Sequence, residues 1–404
     1  MLPDDLVQHA ESKIVFVVLD GLGGLPDPET GLTELEAAAT PNLDRLAARA
    51  ALGLLEIVGP GITPGSGPGH LALFGYDPVR WNVGRGVLSA LGVGFELREG
   101  DVAARLNFCT LDAEGRIVDR RAGRPSDAEN RRLVEKLRAA VRPPAEDVEV
   151  FIEPEKEHRA VLVLRGAGLS AALADTDPQA TGVPPLHVRP VPDGDAEGAE
   201  RTARVVQEVL EAAQRALADE PRANGILARG FGMYRRYPSL ADRFRLRALA
   251  AARYPMYRGL ARLLGMDVLP VPESDEAAVA AVAQRFASYD FHFLHFKAVD
   301  SRGEDGDFWA KAAAIEAVDR LLPQLEALGP DVLVVTGDHS TPSRSRAHSW
   351  HPVPVLLASR WCRGAGAGGF GEAACRQGEL GILPAVHLMT LVLAHAGRLA
   401  KFGA

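Results

Sequence analysis

Acidic and imidazole side chains recur in this sequence just after apolar runs. Asp20 follows Ile14-Val15-Phe16-Val17-Val18-Leu19, Lys297 and Asp300 follow the run from Phe291 to Phe296, and Asp338-His339 close the run from Asp331 to Gly337. Asp20, Asp300, Glu304, Asp338, His339 and His348, with His351 close behind, form a mixed oxygen and imidazole donor set. That mixture suits a pair of divalent ions, and its excess of carboxylates favours manganese or magnesium, with zinc possible. Two ions roughly 3.5 to 4 Å apart would clamp the attacking and leaving oxygens of an in-line phosphoryl displacement. Any one of these residues could instead cap a helix or sit as a surface imidazole. DxxxE and DH at successive strand ends argue against that reading for all of them together.

A nucleophile is offered by Thr63-Pro64-Gly65-Ser66-Gly67-Pro68-Gly69-His70-Leu71. Glycines on both sides of Ser66 allow close backbone approach, and the helix-like run behind it would favour an anion at its N-terminus. Metal coordination would lower the hydroxyl's pKa and make Ser66 an alkoxide nucleophile. Taken alone, a Gly-Ser-Gly turn is more commonly a flexible loop.

The elements that must hold these groups follow from periodicity. β-branched runs ending in acids read as strands buried on both faces, hence as a parallel sheet whose carboxyl ends carry the site. Thr40 caps a helix through Leu46, with Leu43, Leu46 and Ala47 on one face, and the stretch from Phe308 to Leu328 reads as helix between two strands. Val353 to Ala358 reads as a further strand, Leu383 to Leu399 as a closing helix, and Gly364 to Gly369 as a mobile loop. From about Trp81 to Glu220 strand-like pieces, turns and a charged helix from Gly198 to Ala218 indicate an α+β insertion, with the core resuming at Asn224 to Gly230. The expected organisation is a core domain over residues 1–78 and 220–404 with an inserted domain over 79–219.

Composition removes several classes of function. The chain has 404 residues, and its 45 basic against 53 acidic side chains give a formal charge of -8 without the basic stripe of a nucleic-acid binder. The run Ile14 to Leu19 is too short for a spanning helix or a signal peptide, so no membrane partner is expected. Three cysteines without metal or disulfide spacing fit a reducing cytoplasm. Oligomeric state cannot be read from the sequence.

VFVVLDGLGG (Val15 to Gly24), ATPNLDRLA (Ala39 to Ala47), TPGSGPGHLALFGYDP (Thr63 to Pro78), ADTDP (Ala174 to Pro178), RGLARLLGMDV (Arg258 to Val268), FKAVDSRGEDGD (Phe296 to Asp307) and TGDHSTPSRSRAHSWHPVP (Thr336 to Pro354) occur in that order. Together they resemble the archaeal-type cofactor-independent phosphoglycerate mutases of the alkaline phosphatase superfamily, over nearly the whole chain. The resemblance implies an alkaline-phosphatase-like, mostly parallel α/β sheet flanked by helices, with a smaller inserted α+β domain that binds substrate as a lid. It implies interconversion of 3-phosphoglycerate and 2-phosphoglycerate through a phosphoserine on Ser66, with two divalent ions and no 2,3-bisphosphoglycerate. By the same match one ion falls to Asp20, Ser66, Asp338 and His339, and the other to Asp300, Glu304 and His348. Lys297 matches a lysine that neutralises the transferring phosphoryl.

Three positions depart from the family pattern. Glu304 stands in place of a ligand histidine, which makes that site harder and favours manganese or magnesium over zinc, or else weakens it. Ser66-Gly67-Pro68 lacks the acid that many relatives carry after the serine, and Trp350-His351 stands where an acid is common. Arginine forks are needed for a small phosphorylated substrate and its carboxylate. The candidates are Arg85, Arg105 with Asn107, Arg124, Arg229 and Arg258. A metal-dependent phosphomonoesterase, a mutase for another phosphorylated metabolite and a noncatalytic phosphometabolite-binding protein are the alternative readings.

Overall fold

The computed structural model describes residues 4–192, 195–364 and 368–403. In chain order its strands are β1 (Ile14–Leu19), β2 (Ala51–Glu56), β3 (Val102–Leu111), β4 (Ile117–Asp119), β5 (Glu149–Lys156), β6 (Arg159–Arg165), β7 (Gly225–Met233), β8 (Ala248–Ala251), β9 (Asp267–Val268), β10 (Phe291–Phe296), β11 (Val332–Thr336), β12 (Val353–Ser359) and β13 (Gly381–Pro384). They form two sheets in two separate compact units, one of residues up to Asn82 and from Pro238 onward, the other Val83–Tyr237.

The first unit holds an eight-stranded sheet in the order β13-β2-β12-β11-β1-β10-β8-β9. β1 runs parallel to both neighbours, with Ile14 beside Phe291 and Val332, and only β12 runs against the sheet. Every residue of β1, β10 and β11 is buried, as expected of parallel strands covered by helices on both faces. Each large aliphatic or aromatic side chain so buried contributes about 1.5–3 kcal/mol. The carboxyl ends of β11, β1 and β10 are therefore three adjacent points on one edge, set by buried strands.

The helical stretch read between β10 and β11 divides into Phe308–Asp319 and Leu322–Glu326, with Pro323 opening the second piece. The closing helix is shorter than its periodicity suggests. Gly381–Pro384 pairs with β2 as β13, and the helix Leu388–His395 stops before Gly397, which has φ +66°. Of the Gly364 to Gly369 run, residues 365–367 lie outside the described residues.

The second unit is an antiparallel sheet in the order β4-β3-β6-β5, with β7 also along β3. Helices Asp127–Ala140 and Ala196–Leu217 bury Leu133, Val134, Leu137, Val206 and Val209 against it. The stretch from Asn224 to Gly230 does not return to the first sheet as its apolar character suggests. β7 pairs with β3 from Val102 opposite Met233 to Cys109 opposite Gly225, and Ile226 and Ala228 complete the second core. An edge strand in an antiparallel sheet and a buried parallel strand can carry the same composition, so the insertion's limits are 83 and 237 rather than 79 and 219.

Candidate active site

At the carboxyl edge of the first sheet, Asp20, Asp300 and Asp338 are fully buried together with His339. Two triads of donor atoms lie within ligating distance of one another: Asp20, Asp338 and His339, and Asp300, His339 and His348. His348 is held by Nδ1 against the Pro64 carbonyl at 3.0 Å and stacks on His339 at 3.6 Å between ring centroids, leaving Nε2 3.6 Å from Asp300 Oδ1. Thr341 Oγ1 donates to Asp300 Oδ1 at 2.7 Å and lies 2.9 Å from His339 Nδ1, fixing carboxylate and ring together. Gly21 turns the chain after Asp20 with φ +69°, where a Cβ would come within 2.9 Å of Asp300.

Ser66 opens the helix Ser66–Leu73, and its Oγ lies 3.2 Å from His339 Nε2. The helix is pressed onto the Asp338 peptide: a side chain at Gly69 would put its Cβ 2.3 Å from the Asp338 carbonyl oxygen. Gly69 thus serves backbone contact, which carries the serine to the carboxylates.

Asp20 receives several donors on one oxygen. Tyr257 Oη donates to Oδ2, Lys297 Nζ lies 3.1 Å from it and His295 Nε2 3.2 Å, while Oδ1 has no hydrogen-bond partner among the described residues. Burial alone would raise Asp20, but the Lys297 ammonium and the imidazoles of His295 and His339 hold its carboxyl well below the usual range. Asp338 is held low against burial and the Asp20 charge by His339 and His70. Against burial, Asp338, Asp20 and Asp300 push the His339 imidazolium up to about 9. Lys297, which also bonds Asp300, is kept charged by the two acids despite its burial.

Three buried acids sharing imidazoles, with Asp20 Oδ1 3.2 Å from His339 Nε2 and Asp338 Oδ2 3.2 Å from His70 Nδ1 but neither in a hydrogen bond among the described residues, are a donor set that fits divalent cations. The structure does not bring Glu304 into it. Glu304 is exposed one helical turn beyond Asp300, and the face of that helix that meets the site is closed by Gly303 against the Thr341 carbonyl. In place of the expected Asp300–Glu304–His348 set, the structure groups Asp300 with His339 and His348. Glu304→Gln should then leave manganese affinity within about twofold of wild type, measured by calorimetric titration.

Sequence reasoning also missed His70, Tyr257 and His295. His70 is fully buried, with Nδ1 2.8 Å from the Ser66 carbonyl oxygen and 3.2 Å from Asp338 Oδ2, and Tyr257 stacks on His295 at 3.6 Å. The signal available was a histidine four residues after the serine and a second histidine inside an otherwise apolar strand.

The guanidinium of Arg258 is engaged by the backbone of its own unit. It is buried in the first unit, and its Nη1 donates to the carbonyls of Leu269 and Ala252 at 2.7 and 3.2 Å, tying the loops after β9 and β8. In the second unit, by contrast, Arg105 stands directly opposite Arg229 on β3 and β7, and Asn107 opposite Arg159 on β3 and β6. Paired like charges are destabilising in a sheet, and among the described residues Arg105 Nε, Arg229 Nε and Asn107 Oδ1 lack hydrogen-bond partners as well. Burial, the neighbouring Arg85, Arg159 and Arg229, and the opposing pull of Glu155 leave Arg105 at about 10. Arg229 reaches Asp177 at 3.3 Å, which Arg120 grips with two bonds. Arg85 and Arg124 are exposed, the latter in a turn with φ +54°.

Fold and site define an α/β enzyme with its reactive groups at the carboxyl edge of a mostly parallel sheet. A model of the 2,3-bisphosphoglycerate-independent phosphoglycerate mutases matches residues 47–223. A curated Thermus thermophilus protein, named as a probable mutase of that kind, is 54% identical over 403 residues, 99% of this chain and 98% of that protein. A solved Pyrococcus horikoshii protein superposes with a TM-score of 0.82 at 29% identity, over 99% of this chain and all of that one. The cofactor-independent phosphoglycerate mutase from Thermoplasma acidophilum superposes with a TM-score of 0.68 at 31% identity, over 96% of this chain and 100% of that one. The chain belongs to the 2,3-bisphosphoglycerate-independent phosphoglycerate mutases and is an isomerase. No helix among the described residues is long and apolar enough to cross a membrane.

Proposed function

We propose that the enzyme interconverts 3-phosphoglycerate and 2-phosphoglycerate through a phosphoserine on Ser66. The observation that carries this reading is Ser66 Oγ at the mouth of two carboxylate and imidazole triads, 3.2 Å from the histidine they share. Ser66 Oγ forms a bond to the substrate phosphorus as the bond to the C3 oxygen breaks. The glycerate turns while held, and its C2 hydroxyl takes the phosphoryl back from Ser66. Lys297 presents a permanent positive charge to the oxygens of the transferring group, where charge is concentrated. Divalent ions on the triads, with manganese or magnesium preferred, would supply charge stabilisation and a lowered pKa for the serine hydroxyl.

The opposed Arg105 and Arg229, with Arg85, Asn107 and Arg124, form the anion-binding part of residues 83–237, and a substrate carboxylate or phosphate would relieve the repulsion between the paired guanidinium groups. Arg105→Met should lower kcat/KM by about 10²-fold or more with little change in Tm. Arg258→Met should do the reverse, costing about 2–4 kcal/mol of stability by stranding two carbonyls, and leave KM within about twofold. Steady-state kinetics with thermal unfolding of both variants checks the pair. The proposed reaction itself is tested by supplying 3-phosphoglycerate and scoring 2-phosphoglycerate against free phosphate. Free phosphate as the main product would make the protein a phosphomonoesterase, because water would then be reaching the phosphoserine.

A further inference from the structure

Lys311 sits in the first turns of the helix Phe308–Asp319, and it is fully buried. Its Nζ donates to the Gly23 carbonyl at 2.9 Å and the Thr341 carbonyl at 2.8 Å. The third side of the ammonium faces Glu34 Oε1 at 3.9 Å, an oxygen that accepts from both the amide and the hydroxyl of Ser343. Gly23 belongs to the loop that carries Asp20, and Thr341 to the loop that carries Asp338 and His339. The two loops meet again where the Thr341 amide donates to the Gly23 carbonyl at 3.1 Å. The helix bearing Lys311 follows the one bearing Asp300, and Thr341 Oγ1 bonds Asp300 directly.

A buried ammonium is costly unless its donors are satisfied, and for packing alone an apolar side chain of that length would serve better. Here its donors are spent on the backbone of the two loops whose separation sets the distance between Asp20 and the Asp338–His339 pair. We propose that Lys311 is a positioning residue that fixes, from behind and without touching substrate, the geometry of the Asp20, Asp338 and His339 triad. This rests on reading the triads as metal sites. Side chains that orient metal ligands from outside the ligand set characteristically change metal affinity or activity by 10- to 100-fold when removed.

The test uses the full-length chain with Lys311→Met and Lys311→Gln, stripped by chelation and titrated with manganese in a calorimeter beside wild type. The expected result is manganese binding weaker by about 10- to 100-fold. At moderate manganese kcat falls, while KM for 3-phosphoglycerate stays within about twofold, and excess manganese returns much of the lost kcat. Folded variants with wild-type manganese affinity, whatever their Tm, would overturn the proposal. Failure of both variants to fold would assign Lys311 to the fold and overturn it equally. A wild-type chain that takes up no manganese would sink the metal-site reading itself, a different failure visible in the same experiment.

Discussion

Ser66→Ala is expected to lower kcat by about 10⁵-fold or more, the scale of loss when a covalent nucleophile is removed. The fold should be unaffected, because Ser66 stands at the start of its helix behind Gly65 and its hydroxyl is directed to the His339 ring. Tm should stay within a few degrees, and most of the manganese affinity should remain, since the three carboxylates and two imidazoles are untouched. The complementary measurement is an acid quench of wild type mixed with 3-phosphoglycerate, followed by mass analysis of the peptide containing Ser66. An added phosphate on that peptide is the expected sign, and a Ser66→Ala variant with wild-type turnover would eliminate the phosphoserine route.

Removal of divalent ions should have an effect of similar size. Without them the charges of Asp20, Asp300 and Asp338 are offset by Lys297 and the neighbouring imidazoles of His339, His295 and His70, and the serine hydroxyl loses the activation a bound ion would supply. Chelation should therefore reduce activity by about 10⁴-fold or more, and manganese should restore it. The advantage of manganese over zinc should be narrower than the sequence suggests, because the corrected Asp300, His339 and His348 set offers two imidazoles to one carboxylate. A pH dependence follows with a defined sign. His339 is raised to about 9 and must lose its proton to act as a ligand, so manganese affinity should rise with pH up to about 9 and then level off. Calorimetry in buffers of different ionisation enthalpy at pH 7.5 should report proton release on binding; an affinity flat from pH 6 to 9 would contradict the role given to His339.

The acids after β1, β10 and β11 were readable because fully buried parallel strands are written as unbroken apolar runs, and such strands end at one edge. Asp20, Asp300, Asp338 and His339 stand out on that ground, with His348 as a further imidazole in the loop after β11, whereas Lys297 is marked by the family resemblance. Glu304 misled because its spacing from Asp300 matches one helical turn, while the direction of its side chain depends on how Gly303 packs against Thr341, a tertiary contact with no local signature. His70, Tyr257 and His295 escaped for the opposite reason: their partners lie on other elements, and within their own segments they read as core. β7 was misplaced because its composition suits either sheet, and only its partner β3 distinguishes them. Nothing in the sequence separates Arg258, whose guanidinium bonds backbone carbonyls, from the other candidate arginines.

The order of pairing in the first sheet has a consequence for how the protein is made. β1 lies between β10 and β11, so the partners of Ile14 are Phe291 and Val332, residues synthesised far later. The second unit, in contrast, has every strand of its sheet and both packed helices within Val83–Tyr237. On the ribosome it can finish folding while β1 and β2 still wait without their main partners. For that interval the nascent chain carries Ile14–Leu19, six apolar residues with both edges unpaired, the kind of segment that invites aggregation. Slow or interrupted translation beyond residue 237 should thus be more damaging to yield than the same delay before it, and a chain truncated ahead of β10 retains a folded insert attached to an adhesive strand.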